Sequence, residues 1–248
     1  MKNATLNWVR LPLDSLDNCR ELGGYSTRFG QQTKWHSFLR SSDMSKLTQE
    51  DNDFLKAYGL KTIIDLRGAD EIEKHKNPLA EVDFCNYHNI PFITKEVSDI
   101  TFSTYKVTMG DFYIDLLEQK SDSVKKIFDV IAGAEEGCIL FHCAAGKDRT
   151  GILAMLLLGL AGVERKDIVS NYEVTYTNLE SMHHLVSSNE NIPQEYMYSN
   201  RDYILKAYEY ILETYQSVDQ YLIAKDVDQY TIDQIRERFL GLGEIVVS

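Results

Sequence analysis

The spacing of apolar positions changes period several times along the chain, and each change marks a predicted element. Lys61–Leu66 (KTIIDL) is a β-branched run of strand length, and Cys138–His142 (CILFH) is a second strand, apolar enough to be buried. Trp35–Arg40 (WHSFLR) and Asp83–Pro91 (DFCNYHNIP) have the length of two more, while Cys19–Tyr25 (CRELGGY) ends in a Gly-Gly turn. Between these runs the spacing lengthens to that of a helix. Ser42–Tyr58 carries Leu47, Phe54, Leu55 and Tyr58, with Thr48 and Asp51 placed as an N-terminal cap and Gly59 as the stop. Ala69–His75 is charged and helix-like, and Pro78 ends it. Residues 110–132 put Phe112, Leu116, Leu117, Val124, Ile127, Phe128 and Ile131 at helical spacing, with a break near Ser121. Thr150–Leu160 reads as a buried helix. From Asn171 onward the pattern is largely helical, clearest in Tyr203–Tyr215 and in Thr231–Leu240 with Gly241 as C-cap. The stretch 92–108, rich in Thr and Ser, reads as irregular.

Strands alternating with helices predict an α/β fold: a central, mostly parallel sheet flanked by helices, followed by a helical C-terminal part. No Gly/Ser or Pro-rich linker and no internal repeat interrupts the 248 residues, so a single domain over residues 1–248 is expected. Charge narrows the partners. Lys plus Arg number 26 against 38 for Asp plus Glu, a formal charge of −12, which repels nucleic acid and anionic membranes. Any anionic ligand must therefore be attracted locally. Cys19, Cys85, Cys138 and Cys143 lack CxxC or Cys/His spacing, so neither a metal site nor a disulfide framework is expected, and no cofactor is called for. The most apolar window, 151–163, is shorter than the about 20 residues that span a bilayer, and the N-terminus lacks the apolar run of a signal peptide. A soluble, cytoplasmic protein is expected, with a secreted mature form as the alternative.

One loop carries more chemistry than a turn needs. His142–Gly151 (HCAAGKDRTG) lies between the strand ending at His142 and the buried helix, where ligands sit at the carboxyl end of a parallel sheet. The backbone N–H groups of Ala144, Ala145, Gly146, Lys147, Asp148 and Arg149 can curl into a bowl, joined by the donors and dipole of the helix N-terminus. Gly146 and Gly151 permit conformations and close approaches that a Cβ would obstruct. Arg149 adds a planar fork suited to two oxygens of a phosphate. The same donors face Cys143 and favour its thiolate, which makes it a nucleophile; attack on phosphorus would give a cysteinyl-phosphate. The Thr150 hydroxyl is placed to donate to the sulfur as it leaves. Taken singly, Cys143 would be an ordinary buried residue, Lys147 and Arg149 solvated charges, and His142 a structural hydrogen-bonding residue. The combination is what carries the inference.

HCAAGKDRTG resembles the phosphate-binding loop, HCxxGxxRT/S, of the cysteine-dependent protein-tyrosine phosphatase superfamily. More narrowly, Lys147-Asp148 gives GKDRTG, similar to the bacterial tyrosine phosphatases of the secreted mycobacterial "B" type and their Gram-positive relatives, and to the basic loops of phosphoinositide phosphatases. Asn18–Tyr25 (NCRELGGY), Phe38–Ser42 (FLRSS) and Ile63–Arg67 (IIDLR) resemble further segments of that branch, as do Tyr172–Tyr176 and Gln220–Leu240; Glu21 stands where the branch usually has Asp. The resemblance implies a phosphatase fold and broad specificity, with phosphotyrosine proteins as the defining substrate and phosphoserine, phosphothreonine and phosphoinositides beside it.

Expelling the leaving group needs a proton donor. The resemblance points to Asp148, which could otherwise be a loop-stabilising carboxylate. Asp65, ending its strand, is the second candidate, and it could instead orient Arg67 or Arg149. Asp99 and Asp111 flank the irregular stretch as weaker choices. Lys147 either engages further phosphates or compensates Asp148. A non-catalytic phosphate-binding module on the same fold is the competing function, although such a module has no use for a nucleophile. A rhodanese-like sulfur transferase is disfavoured by the terminal Arg-Thr-Gly.

Overall fold

The computed structural model describes residues 6–93, 108–179 and 198–240. A five-stranded sheet runs in the order β1-β2-β5-β3-β4, formed by β1 (Arg20–Glu21), β2 (Phe38–Ser41), β3 (Leu60–Asp65), β4 (Asn86–Asn89) and β5 (Cys138–His142). Only the β1–β2 pair is antiparallel. The α/β class with a mostly parallel sheet is thus the one the alternating pattern predicts. The helices are α1 (Gln49–Tyr58), α2 (Ala69–Lys74), α3 (Met109–Gln119), α4 (Ser121–Gly133), α5 (Asp148–Leu160), α6 (Arg165–Glu173), α7 (Thr175–Asn178), α8 (Arg201–Tyr215), α9 (Val218–Ala224) and α10 (Gln229–Leu240). No helix among the described residues is long and apolar enough to cross a membrane.

Burial explains both the sheet order and its central strand. All five residues of β5 are buried, which suits a strand with neighbours on both edges and helices on both faces. Ile139 and Phe141 point with Phe38 and Ile64 into one cluster, which α3, α4, α5 and the C-terminal helices complete; Leu140, Leu39 and Ile63 point into the other, with Leu55 of α1 and Leu11, Leu13 and Leu16 of the N-terminal segment. Helix α5 is buried nearly all round, as its uninterrupted apolar run requires.

Element boundaries shift where local backbone chemistry decides. The strand read at Trp35–Arg40 begins only at Phe38, because His36 turns the chain with a left-handed φ of 61°. The helix read from Ser42 starts at Gln49, where Thr48 Oγ1 accepts from Asp51 N, and it stops at Gly59, φ 94°. The long helical stretch 110–132 divides at Lys120 into α3 and α4. Gly241 and Asp99 lie outside the described residues.

The register prepares a site. His142 is paired with Ser41 of β2 on one side and Asp65 of β3 on the other, so the carboxyl ends of the three central parallel strands are level, and Cys143 is the next residue out.

Candidate active site

The loop 143–147 is shaped by what its carbonyls do. In a trans peptide the C=O of one residue and the N–H of the next point in opposite directions, and no cis bond occurs among the described residues. The carbonyls of Cys143, Ala144, Ala145 and Gly146 are each drawn to a partner outside the bowl. His142 Nδ1 lies 3.2 Å from Cys143 O; Asp43 N donates to Ala144 O (2.7 Å); Asn18 Nδ2 donates to Ala145 O (3.2 Å) and Gly146 O (3.1 Å); Arg40 Nη2 donates to Gly146 O (2.7 Å). The N–H groups of Ala144, Ala145, Gly146 and Lys147 are left facing away from those partners. Gly146 has φ 68°, and a Cβ there would stand 2.4 Å from Ser41 O. At Gly151 a Cβ would meet the Tyr172 ring at 2.9 Å, so the first turn of α5 approaches α6 as closely as only glycine allows.

Arg40 and Asn18 are themselves braced. Arg40 Nη1 donates to Asn171 Oδ1 (2.7 Å), Arg20 Nη2 donates to Asn171 O (2.7 Å) and Thr175 Oγ1 (2.9 Å), and Asn178 Nδ2 donates to Asn18 Oδ1 (3.2 Å). All six residues are buried. Burial lowers the Arg40 guanidinium to about 10, with Cys143 foremost among the neighbours that favour its charge.

On the other side of Cys143, Arg149 is the second residue of α5. Its Nη1 and Nη2 donate end-on to Glu71 Oε2 (2.6 Å) and Oε1 (2.8 Å), and Nη1 reaches Leu66 O (3.4 Å). That geometry uses one edge of the guanidinium and leaves the parallel N–H groups of Nε and Nη2 for oxygens of a ligand. Burial opposes the charge of Arg149, but Glu71, Cys143 and Asp148 together outweigh it and raise its pKa. Glu71 belongs to α2, where its Oε2 also accepts from Gly68 N at 2.9 Å. Burial would raise its carboxyl, yet Arg149 holds it below the ordinary range. Lys147, at the helix entrance, caps nothing with its side chain, so no capping group covers the first-turn donors. It is nearly buried, its Nζ 3.4 Å from both Tyr198 O and Asp148 Oδ1. Thr150 Oγ1 is buried and lacks a hydrogen-bond partner among the described residues.

Asp148 and Asp65, the two carboxylates read as candidate acids, occupy different surroundings. Asp148, the first residue of α5, is partly exposed and accepts a short hydrogen bond from Tyr113 Oη. Asp65 is fully buried and accepts from Arg67 Nε (2.9 Å), Arg67 Nη2 (2.6 Å) and Tyr87 Oη (2.7 Å). Burial would raise its carboxyl, but Arg67 and Tyr87 hold it below the ordinary range. Arg67 also pairs with Asp43 and donates to His75 O (2.8 Å), so of the two arginines considered for Asp65, it is Arg67 that Asp65 holds, while Glu71 holds Arg149. His142 Nε2 lies 3.1 Å from Asn77 Nδ2, whose Oδ1 accepts from Leu79 N; the ring therefore accepts there and donates from Nδ1 to Cys143 O. Burial lowers its pKa, in keeping with a neutral ring. Asp111 caps α3 with Thr108 and pairs with Lys206 at 2.5 Å, outside the groups around Cys143. No cluster of His, Cys, Asp or Glu able to hold a metal occurs among the described residues.

Sequence reasoning had assigned no role to Glu71, Asn171, Tyr113 or Tyr172, nor to Arg40 and Asn18 within the segments it singled out. Glu71 had a usable signal, an acid one helical turn beyond the Gly that follows the IIDLR strand. The others lie far along the chain from the loop and become legible only through packing.

The protein resembles known phosphatases along most of its length. A relative from Nostoc commune, named a tyrosine-protein phosphatase, is 40% identical over 146 residues, 58% of this chain and 50% of that protein. A protein of Cupriavidus necator is 30% identical over 171 residues, 65% of this chain and 61% of that one, so the chain spans half to three fifths of the length of these two relatives. The triple specificity protein phosphatase PtpB of Mycobacterium tuberculosis is 23% identical over 82% of this chain and 90% of its own. The profile described as the tyrosine phosphatase family matches residues 11–241, and with nearly the whole chain inside that match, the protein belongs to the tyrosine phosphatase family.

Proposed function

We propose that this chain, acting as one domain, hydrolyses phosphate monoesters through a cysteinyl-phosphate on Cys143. Phosphotyrosine proteins are the first substrates, with phosphoserine, phosphothreonine and phosphoinositides beside them. One observation carries the reading: Cys143 follows the last residue of the central strand, at the mouth of the loop whose carbonyls are drawn outward, with Arg149 held end-on by Glu71. Family membership and the relatives' names support the chemistry.

The phosphoryl oxygens bond to the loop N–H groups and to the Nε–Nη2 edge of Arg149, which hold them while charge develops. Cys143 Sγ forms the S–P bond as the P–O bond to the leaving group breaks, and Asp148 gives its proton to the departing oxygen. In the second step the Asp148 carboxylate takes a proton from water, whose oxygen attacks phosphorus. Sulfur leaves, stabilised by the Thr150 hydroxyl. Asp65 is the positioning partner of Arg67, because its lone pairs are taken up by buried donors. Lys147, one positive charge beside the scissile phosphate, supports a substrate with further phosphates, and the triple specificity in the name of the mycobacterial relative supports breadth.

Hydrolysis of p-nitrophenyl phosphate in the presence of a chelator tests this reading. Activity blocked by vanadate and lowered roughly 10⁴-fold in Cys143→Ser is the expected outcome. Full activity in that variant, or loss of activity on chelation, overturns it; vanadate binding without turnover marks a phosphate-binding module instead.

A further inference from the structure

Asp148 is held by a chain of two phenols that no step above uses. Tyr113 of α3 is wholly buried and its Oη donates to Asp148 Oδ1. A phenol has one proton, so Tyr113 must accept in its 2.6 Å contact with Tyr172 Oη of α6, and Tyr172 is the donor there. Burial, reinforced by the Asp148 charge, raises the pKa of both phenols, which keeps them as donors over the whole working pH range. The rings are fixed edge to face, 6.1 Å apart at 80°, and the Tyr172 ring lies against Gly151 of α5. The relay therefore ties the start of α5 to two other helices. The remaining charges around Asp148 are Lys147, with Nζ 3.4 Å from the same Oδ1, and Arg149, next in the chain; Cys143 acts electrostatically on Arg149, and Arg40 and Tyr203 of α8 on Tyr172. Oδ1 is thus the occupied oxygen.

We infer that Tyr113, backed by Tyr172, is the positioning residue of the general acid: by holding Oδ1 it turns Oδ2, the oxygen that carries the transferable proton, toward the leaving group. This role rests on the phosphatase reading of the site. It has a measurable signature. A misdirected acid slows substrates whose leaving groups need the proton and spares those that do not.

The test is kcat/KM against pH for a series of aryl phosphates of rising leaving-group basicity, in wild type, Tyr113→Phe, Tyr172→Phe, Asp148→Asn and the Tyr113→Phe/Asp148→Asn double variant. Phenylalanine keeps both rings in place. Tyr113→Phe is expected to leave p-nitrophenyl phosphate within about threefold of wild type and to slow phenyl phosphate about tenfold. Tyr172→Phe gives a smaller change of the same sign, and carries the test if Tyr113→Phe does not fold. In the Asp148→Asn background Tyr113→Phe adds no further leaving-group dependence, since its effect passes through the carboxylate. A Tyr113→Phe enzyme with the wild-type leaving-group slope, or an undiminished effect in the Asp148→Asn background, overturns the inference. If Asp148→Asn alone keeps the wild-type slope, the acid assignment falls and the positioning role with it, while the dependence on Cys143 judges the phosphatase reading separately.

Discussion

Behind the loop, buried side chains reach backbone: Asn18 and Arg40 take the carbonyls of Ala145 and Gly146, and Arg20 takes that of Asn171. At its rim, side chains meet each other, with Glu71 and Asp148 partly exposed: Arg149 with Glu71, Lys147 with Asp148, and Tyr113 with Asp148. The two regions use similar residue types for different ends. A buried guanidinium on a carbonyl fixes the peptide plane and hence the direction of the next N–H, so the back of the loop sets the shape of the bowl. An ion pair whose carboxylate is partly exposed is weak as a stabilising device, but it aims a side chain, so the rim sets the chemistry.

Removing the back should therefore cost stability and activity together. Arg40→Met keeps much of the side-chain volume but takes the donor from Asn171 Oδ1 and leaves Gly146 O with Asn18 Nδ2 in place of two donors. A loss of about 1–3 kcal/mol in urea unfolding is expected, with hydrolysis lost in the same variant even where it remains folded. Wild-type activity in a destabilised Arg40→Met protein would show that the carbonyls do not need this anchor. At the rim the balance reverses. Glu71→Gln puts an amide N–H₂ against one of the two Arg149 donors, so one of the paired bonds is lost and the fork is free to turn. Stability should change by less than about 1 kcal/mol while kcat/KM falls about tenfold. A variant with unchanged kinetics would show that Arg149 is aimed by something other than Glu71.

The same division explains what the sequence reveals. The strand–loop–helix unit is local: CILFH, HCAAGKDRTG and the apolar run after it are contiguous, so hydrophobic period and loop chemistry identify the central strand, the bowl and α5 together. The break between α3 and α4 is legible for the same reason. Arg40 and Asn171 are not, because a charged residue in a strand and an Asn in a helix look like surface positions until residues 131 positions apart in the chain are folded together. Tyr113 is one of fifteen tyrosines, and nothing in its neighbours separates a phenol that meets Asp148 from one that fills the core. Asp65 sat at the right strand end for an acid, and only the three donors around it disclose its other employment. Position along the chain thus reveals the nucleophile and the anion-binding loop, while side-chain partnership requires the tertiary structure.

The smallest expected effect separates the two regions by pH. Glu71 has its carboxyl held below the ordinary value by Arg149, so in the folded state it binds a proton less readily than in the unfolded chain. Its contribution to stability is complete above the unfolded value of about 4.3 and is lost as pH falls through the lower, folded value. Asp65 shifts in the same direction and loses its contribution over the same acid range, but it is buried among Arg67 and Tyr87, whereas the Glu71 side chain is 35% exposed and screened by water. The stability difference between wild type and Glu71→Gln should therefore be flat from pH 6 to about 5, remain under about 1 kcal/mol throughout, and shrink toward zero below about pH 4. The corresponding difference for Asp65→Asn should be larger at neutral pH and shrink over a similar acid range, because a carboxylate enclosed by donors loses more when it is neutralised. Equal differences for the two variants at neutral pH would show that the rim pair is as firmly held as the buried one, and the low stability assigned to the rim would not stand.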